Sequence, residues 1–132
     1  NDIQTLGPAG GWIGSATDLL KFMLAIDGLN IPQDILSQES IDKMVTPRKV
    51  YLDPFGWRGV RSHSWYRTGT LAGTSALMVR RDDGISYVVL FNSSTWKGPM
   101  LSSDIRRMMN RALQKTDSWP DYSLFELASS WN

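Results

Sequence analysis

A chain of 132 residues, 42% apolar and 20% charged, suits one domain with a core of its own and excludes a disordered tail, a coiled coil or a collagen-like repeat. The lack of cysteine excludes a disulfide framework and thiolate metal sites, and no apolar run approaches the about 18 residues a membrane span needs. The net charge of +1 is unevenly spread: residues 1–46 carry two lysines against six acids, whereas residues 47–81 carry seven bases against Asp53 alone.

Gly10-Gly11 punctuates the start of the chain. Ser15-Ala16-Thr17-Asp18 has the form of a capping box, and Leu19, Leu20, Phe22, Met23 and Ile26 follow at helical spacing up to Gly28, which predicts a helix over 16–27. Ser37 or Ser40 opens a shorter helix through Ile41, Met44 and Val45, ended by Pro47. Two short aromatic strands follow, over 56–61 and 64–68, and then two longer ones over 74–80 and 85–91. Asp82-Asp83-Gly84 joins the last pair as a hairpin turn. The second strand of that hairpin is apolar nearly throughout, so both its faces are expected to be covered. A helix over 100–115 turns Leu101, Ile105, Met108, Met109 and Leu113 inward and Arg106, Arg107, Arg111 and Lys115 outward. The tail 117–132, with Phe125 and Trp131, is too apolar to hang free and is expected to pack back. The order of elements makes an α+β domain: one antiparallel sheet with packing helices.

The basic middle third also holds Trp57, Trp65 and Tyr66. Such a segment can be a solvated sheet face, a grip for a carboxylate on a small ligand, or a nucleic-acid surface. His63 is the sole histidine, so no histidine cluster or zinc triad can be built, and a triad of Ser62 or Ser64 with His63 and Asp53 rests on sequence proximity alone. No phosphate loop or dinucleotide fingerprint is present, and no cofactor is called for. The six tryptophans read as core and cleft lining.

Four segments in one order resemble the C-terminal part of the penicillin-recognising serine hydrolases, the superfamily of class C β-lactamases, D-alanyl-D-alanine carboxypeptidases and related esterases. Ala9-Gly10-Gly11-Trp12-Ile13-Gly14-Ser15-Ala16-Thr17-Asp18-Leu19-Leu20-Lys21-Phe22 is similar to A-G-G-x-x-S-T-A-x-D-L-x-x-F, and Phe55-Gly56-Trp57 to the Y-G-x-G-W strand entry. Tyr66-Arg67-Thr68-Gly69-Thr70-Leu71-Ala72-Gly73-Thr74-Ser75 is similar to [KH]-[ST]-G-x-x-x-G-x-x-S, and Gly84-Ile85-Ser86-Tyr87-Val88-Val89-Leu90-Phe91-Asn92 to G-x-x-V-V-V-L-x-N. The likeness spans about residues 8–115.

The resemblance implies that Arg67, Thr68 and Gly69 line the active-site cleft as substrate-binding residues, and that the Thr70 N–H is one of two oxyanion-hole donors. Arg67 departs from the family's Lys or His. An arginine can fork onto a carboxylate in two parallel bonds but shuttles protons poorly. The Thr68 hydroxyl can donate to a substrate carboxylate, and at Gly69 a Cβ would intrude on the substrate backbone. The same resemblance places the nucleophile, in S-x-x-K, and the Y-x-N element upstream of Asn1, which agrees with the missing initiator methionine. The chain is then the C-terminal segment of a larger serine hydrolase, inactive alone. Its partners are a small-molecule or peptide substrate with a carboxylate and the N-terminal remainder of the same protein, with no nucleic acid and no membrane span. The resemblance also implies a periplasmic or extracellular location. Ser40-Ile41-Asp42-Lys43, Ser94-Thr95-Trp96-Lys97 and Ser130-Trp131-Asn132 imitate the missing motifs at the wrong positions and are expected to be decoys. The alternative is a non-catalytic module that uses Arg67 and the aromatics to hold a peptide, a glycan or another carboxylate ligand.

Overall fold

The computed structural model describes residues 2–46, 54–61, 64–93 and 95–123. They fall into two compact units, residues 1–102 and 103–132. In the first, the Asp2 carboxylate accepts the Gln4 N–H (3.0 Å) and the Thr5 hydroxyl (2.6 Å). This holds a one-turn helix, α1 (Ile3–Leu6), followed by a 3-10 turn, Gly7–Ala9. Neither is visible as periodicity, because one turn is too short to have a period.

Helix α2 (Ala16–Leu24) starts where the capping box places it. The Asp18 N–H donates to Ser15 Oγ and the Ser15 N–H donates back to the Asp18 carboxylate, both at 3.1 Å. The helix ends before the expected residue 27. Asp27 turns its carboxylate onto the Leu29 N–H (2.9 Å), and the Ile35 N–H returns to the Ala25 carbonyl (2.8 Å), so local side-chain and loop bonds outcompete another helical turn. Ser37, of the two candidates, caps α3 (Gln38–Val45) by accepting the Ser40 N–H at 3.3 Å. Pro47, the expected stop, lies outside the described residues.

Strands β1 (Gly59–Arg61), β2 (Ser64–Leu71), β3 (Thr74–Arg80) and β4 (Ser86–Phe91) form one antiparallel sheet in that order. Two turns fix the register. Ala72-Gly73 sets Leu71 opposite Thr74, and Asp82-Asp83-Gly84 sets Arg80 opposite Ser86. Gly73 and Gly84 have φ of +80° and +82°, which a side chain would strain. Strand β2 runs three residues beyond the predicted end at Thr68, because its pairing with β3 continues to the first of these turns.

This register puts Trp65 and Arg67 of β2 on one face with Met78 and Arg80 of β3 and Ser86 and Val88 of β4. Helix α2 packs on that face: Met23 and Ile26 join Trp57 and Trp65 in the core, with Val60, Met78 and Val88 against them. Met23 is wholly buried, and burying such a side chain contributes about 1.5–3 kcal/mol. The Trp57 and Trp65 rings lie 6.0 Å apart, tilted by 52°. The core cluster reaches Val88 on β4 and stops. Tyr87 is buried on the other face, so the first half of β4 is covered on both sides as its composition predicts, but Leu90 and Phe91 beyond are 37% and 38% exposed. Strand β4 is the outer strand of the sheet among the described residues. The tryptophans also divide against expectation: Trp57 and Trp65 are core, whereas Trp12 and Trp96 are 83% and 93% exposed and Trp119 is exposed too.

A polar row crosses the same face. Arg80 is buried with its guanidinium 4.6 Å over the Trp65 ring, and Ser86 is its partner on β4. Asp27 is wholly buried just past α2. Burial pushes the Asp27 carboxyl above the usual carboxylate range. The Leu29 N–H pulls it down, Asp34 pushes it up and the Arg80 charge lowers it.

Most of α4 (Leu101–Leu113) forms the second unit. Asp104 and Arg107 pair at 2.5 Å on its surface. Ile105 is buried, but Met108, expected inward, is exposed. Ser103, Arg106, Arg107, Asn110, Arg111 and Gln114 line an open depression of about 400 Å³ along one face of the helix. Phe125 and Trp131, and with them the expected packing of the tail, lie outside the described residues.

Candidate active site

The segment Arg67-Thr68-Gly69-Thr70 sits in the second half of β2. Strand β1 pairs only with Ser64–Tyr66, and Arg58 adds one further bond, its N–H donating to the Tyr66 carbonyl at 2.9 Å. Among the described residues no strand pairs with 67–71 on that side, although the 3-10 turn Gly98–Met100 comes up beside β2. Because the Tyr66 carbonyl faces β1, alternation along an antiparallel strand points the N–H and C=O groups of Thr68 and Thr70 the same way, out of the open edge. Those of Arg67, Gly69 and Leu71 turn inward to β3. The Thr68 and Thr70 N–H groups therefore stand on the side where an extended ligand could lie.

The side chains divide differently. Arg67 and Gly69 stand on the face carrying Trp65 and Met78, while Thr68 and Thr70 stand on the other with Leu77 and Ser75. Arg67, Gly69 and Thr70 are exposed and Thr68 is half-buried. The structure thus joins the four candidate residues on one free edge but sends the Arg67 and Thr68 side chains to opposite faces.

The residue that sequence reasoning missed is Arg58. Trp57 is anchored in the core, and exposed Arg58 beside it donates from Nη1 to Thr68 Oγ1 at 3.1 Å. No sequence signal links two residues ten apart across a strand boundary; only the register brings them together. The other described bases of the middle third serve different ends. Arg80 is buried on Trp65, and Arg81 clamps the hairpin carboxylate of Asp83 at 2.6–3.0 Å, holding that carboxyl below the usual range.

One candidate motif is accounted for locally. Ser40 Oγ shares a 3.0 Å hydrogen bond with Ser37 Oγ at the start of α3, and the Lys43 ammonium lies 2.6 Å from Glu39. This Ser-x-x-Lys is a cap and a helix-surface pair. Ser94, Ser130-Trp131-Asn132 and the Ser62, His63 and Asp53 grouping involve positions outside the described residues. No group of three or more His, Cys, Asp or Glu side chains placed to hold a metal occurs among the described residues.

A family model described as Beta-lactamase matches residues 1–108. That span contains the Gly-Gly segment, the open half of β2 and the final strand. Comparison with curated proteins and with solved structures gave no match.

Proposed function

The chain belongs to the beta-lactamase family, and on that premise we propose that it forms the cleft-lining lobe of a serine hydrolase. The reaction is acyl transfer from an amide or ester to a serine, followed by hydrolysis of the acyl-enzyme. One observation carries the reading: the edge of β2 at 67–71 is unpaired among the described residues and points the Thr68 and Thr70 N–H groups outward.

A substrate laid along this edge places its carbonyl oxygen at the Thr70 N–H, one of two oxyanion-hole donors. One such donor typically contributes about 10²–10³ in rate. The Thr68 hydroxyl donates to a carboxylate of the substrate, Gly69 lets the substrate backbone approach, and Arg67 adds positive charge along the cleft. The family's order of motifs implies that the nucleophilic serine and its base come from outside these 132 residues; within them, Ser40 and Lys43 are engaged elsewhere. The segment by itself is then catalytically inactive. Family membership supports a periplasmic or extracellular location; no helix among the described residues is long and apolar enough to cross a membrane.

One feature favours the alternative of a non-catalytic binding module for a peptide, glycan or other carboxylate ligand: Arg67 stands where the family carries Lys or His, and an arginine is a poor proton shuttle. Labelling the protein from its native source with a serine-reactive acylating probe decides between them. A labelled species well above 14.9 kDa supports the hydrolase. Label on a 14.9 kDa species would place the nucleophile within this chain, and no label would leave the binding module.

A further inference from the structure

We propose that the basic face of α4 is an anion site that binds phosphate groups in pairs, carried by one compound or by neighbouring lipid headgroups. The site lies wholly within the second unit and owes nothing to the edge of β2. The residues that line the open depression of about 400 Å³ run from Ser103 to Gln114 at steps of three or four, or as adjacent pairs. They therefore form one stripe along about three turns of helix, about 16 Å long at a rise of about 1.5 Å per residue. Ile105, the buried residue of the helix, stands about half a turn away round the axis, and Arg107, Asn110, Arg111 and Gln114 are exposed.

The lining selects the ligand. Every side chain in it can donate a hydrogen bond and none is a carboxylate, so it suits an oxygen-rich anion. Its three cations are all arginines, whose planar forks match two oxygens of one phosphate. Arg107 and Arg111 are one helical turn apart, about 6 Å between Cβ atoms, so two forks can each take one phosphate of a pair. A single carboxylate would answer one guanidinium and leave the others facing each other. The helix itself gains little from this clustering. Residues 105–116 carry three arginines and Lys115 but no acid, and Asp104, which pairs with Arg107 at 2.5 Å, precedes them. Arg111 stands in the last turn, where the helix dipole favours a cation, whereas Arg106 and Arg107 lie in the middle, where that effect has faded. Like charges at Arg107 and Arg111 oppose the helix, and a bound anion removes that repulsion. Elsewhere on the described surface Lys43 and Arg81 each sit on an acid close by in sequence, Glu39 and Asp83.

The test uses the full protein from its source and two probes. Inorganic pyrophosphate is titrated by calorimetry, and vesicles of phosphatidylcholine with or without phosphatidylglycerol are co-sedimented with the protein. Binding of pyrophosphate marks a free compound as the ligand; binding of the phosphatidylglycerol vesicles alone marks a lipid headgroup. With whichever probe binds, Arg107→Gln combined with Arg111→Gln should weaken binding about 25-fold, from about 5-fold per arginine beside a phosphate surface, and added salt should weaken it further. Arg107→Lys combined with Arg111→Lys keeps the charge and the helix, loses the fork, and should bind with intermediate affinity. Lys43→Gln removes a charge elsewhere and should change nothing. Circular dichroism checks that each variant is folded. The proposal is overturned if neither probe binds, if the glutamine pair binds as well as the parent, if the lysine pair matches the parent, or if Lys43→Gln weakens binding as much as the glutamine pair does. Tighter binding to duplex DNA than to both probes, lost in the glutamine pair, would make the ligand a nucleic acid and would overturn it too.

Discussion

Replacing Gly69 with alanine separates what the fold needs at this position from what a substrate needs. The residue lies in the extended run of β2, and a Cβ built there meets only the Ala76 Cβ, at 3.5 Å, an ordinary van der Waals contact. The fold therefore has room for it. A glycine inside a strand costs roughly 0.5–1 kcal/mol relative to alanine, so the variant should be as stable as the parent or more stable by up to about that amount. With a urea m-value of about 1–3 kcal/mol per molar, the midpoint should stay put or rise, by about 1 M at most. On the ligand side the balance reverses. The new methyl stands about 1.5 Å out from Cα and forces a backbone lying over Gly69 to retreat by a comparable distance. A misplacement of about 1 Å costs about 10²-fold in rate, or about 2.7 kcal/mol of barrier. Acylation by the serine probe, followed beside urea unfolding, should thus slow about 100-fold in a protein whose midpoint has not fallen. Unchanged acylation in the folded variant would refute the idea that substrate crosses this glycine. A lowered midpoint would refute the packing argument.

Met23→Ala removes a wholly buried side chain from the cluster of Ile26, Trp57 and Trp65 and should cost about 2–5 kcal/mol, read as a drop in the urea midpoint; a smaller loss would mean that the cluster collapses around the gap. Burial raises the Asp27 carboxyl, so its contribution to stability is complete below the unfolded-state value of about 3.9 and is lost as pH rises through the higher folded value. Asp27→Asn should remove that fall, and midpoints measured from pH 3.5 to 7 should shift in favour of the variant as pH rises; a flat difference would contradict the sign. Arg81→Ala takes away the hydrogen bonds that hold Asp83 low, and carboxyl NMR titration should find Asp83 moved up toward an ordinary aspartate, which would not happen if the turn alone depressed it.

Local chemistry was legible from the chain. Ser15 and Asp18 satisfy each other's backbone within one helical turn, Ser37 caps α3, and Gly84 lets the 82–84 hairpin close, so each start and turn follows from neighbours a few residues apart. The α+β order and the Arg67–Thr70 segment were readable for the same reason, as a succession of such signals and motifs. Burial and facing were not. Asp27 and Arg80 look like surface charges in sequence but are buried, and Leu90 and Phe91 look like core but are exposed, because burial depends on which distant element arrives to cover a residue. The opposite facing of Arg67 and Thr68, and the bond from Arg58 to Thr68, depend on strand register. A shift of one residue in that register would exchange the two faces of β2, and no span of sequence shorter than the paired strands can hold that choice.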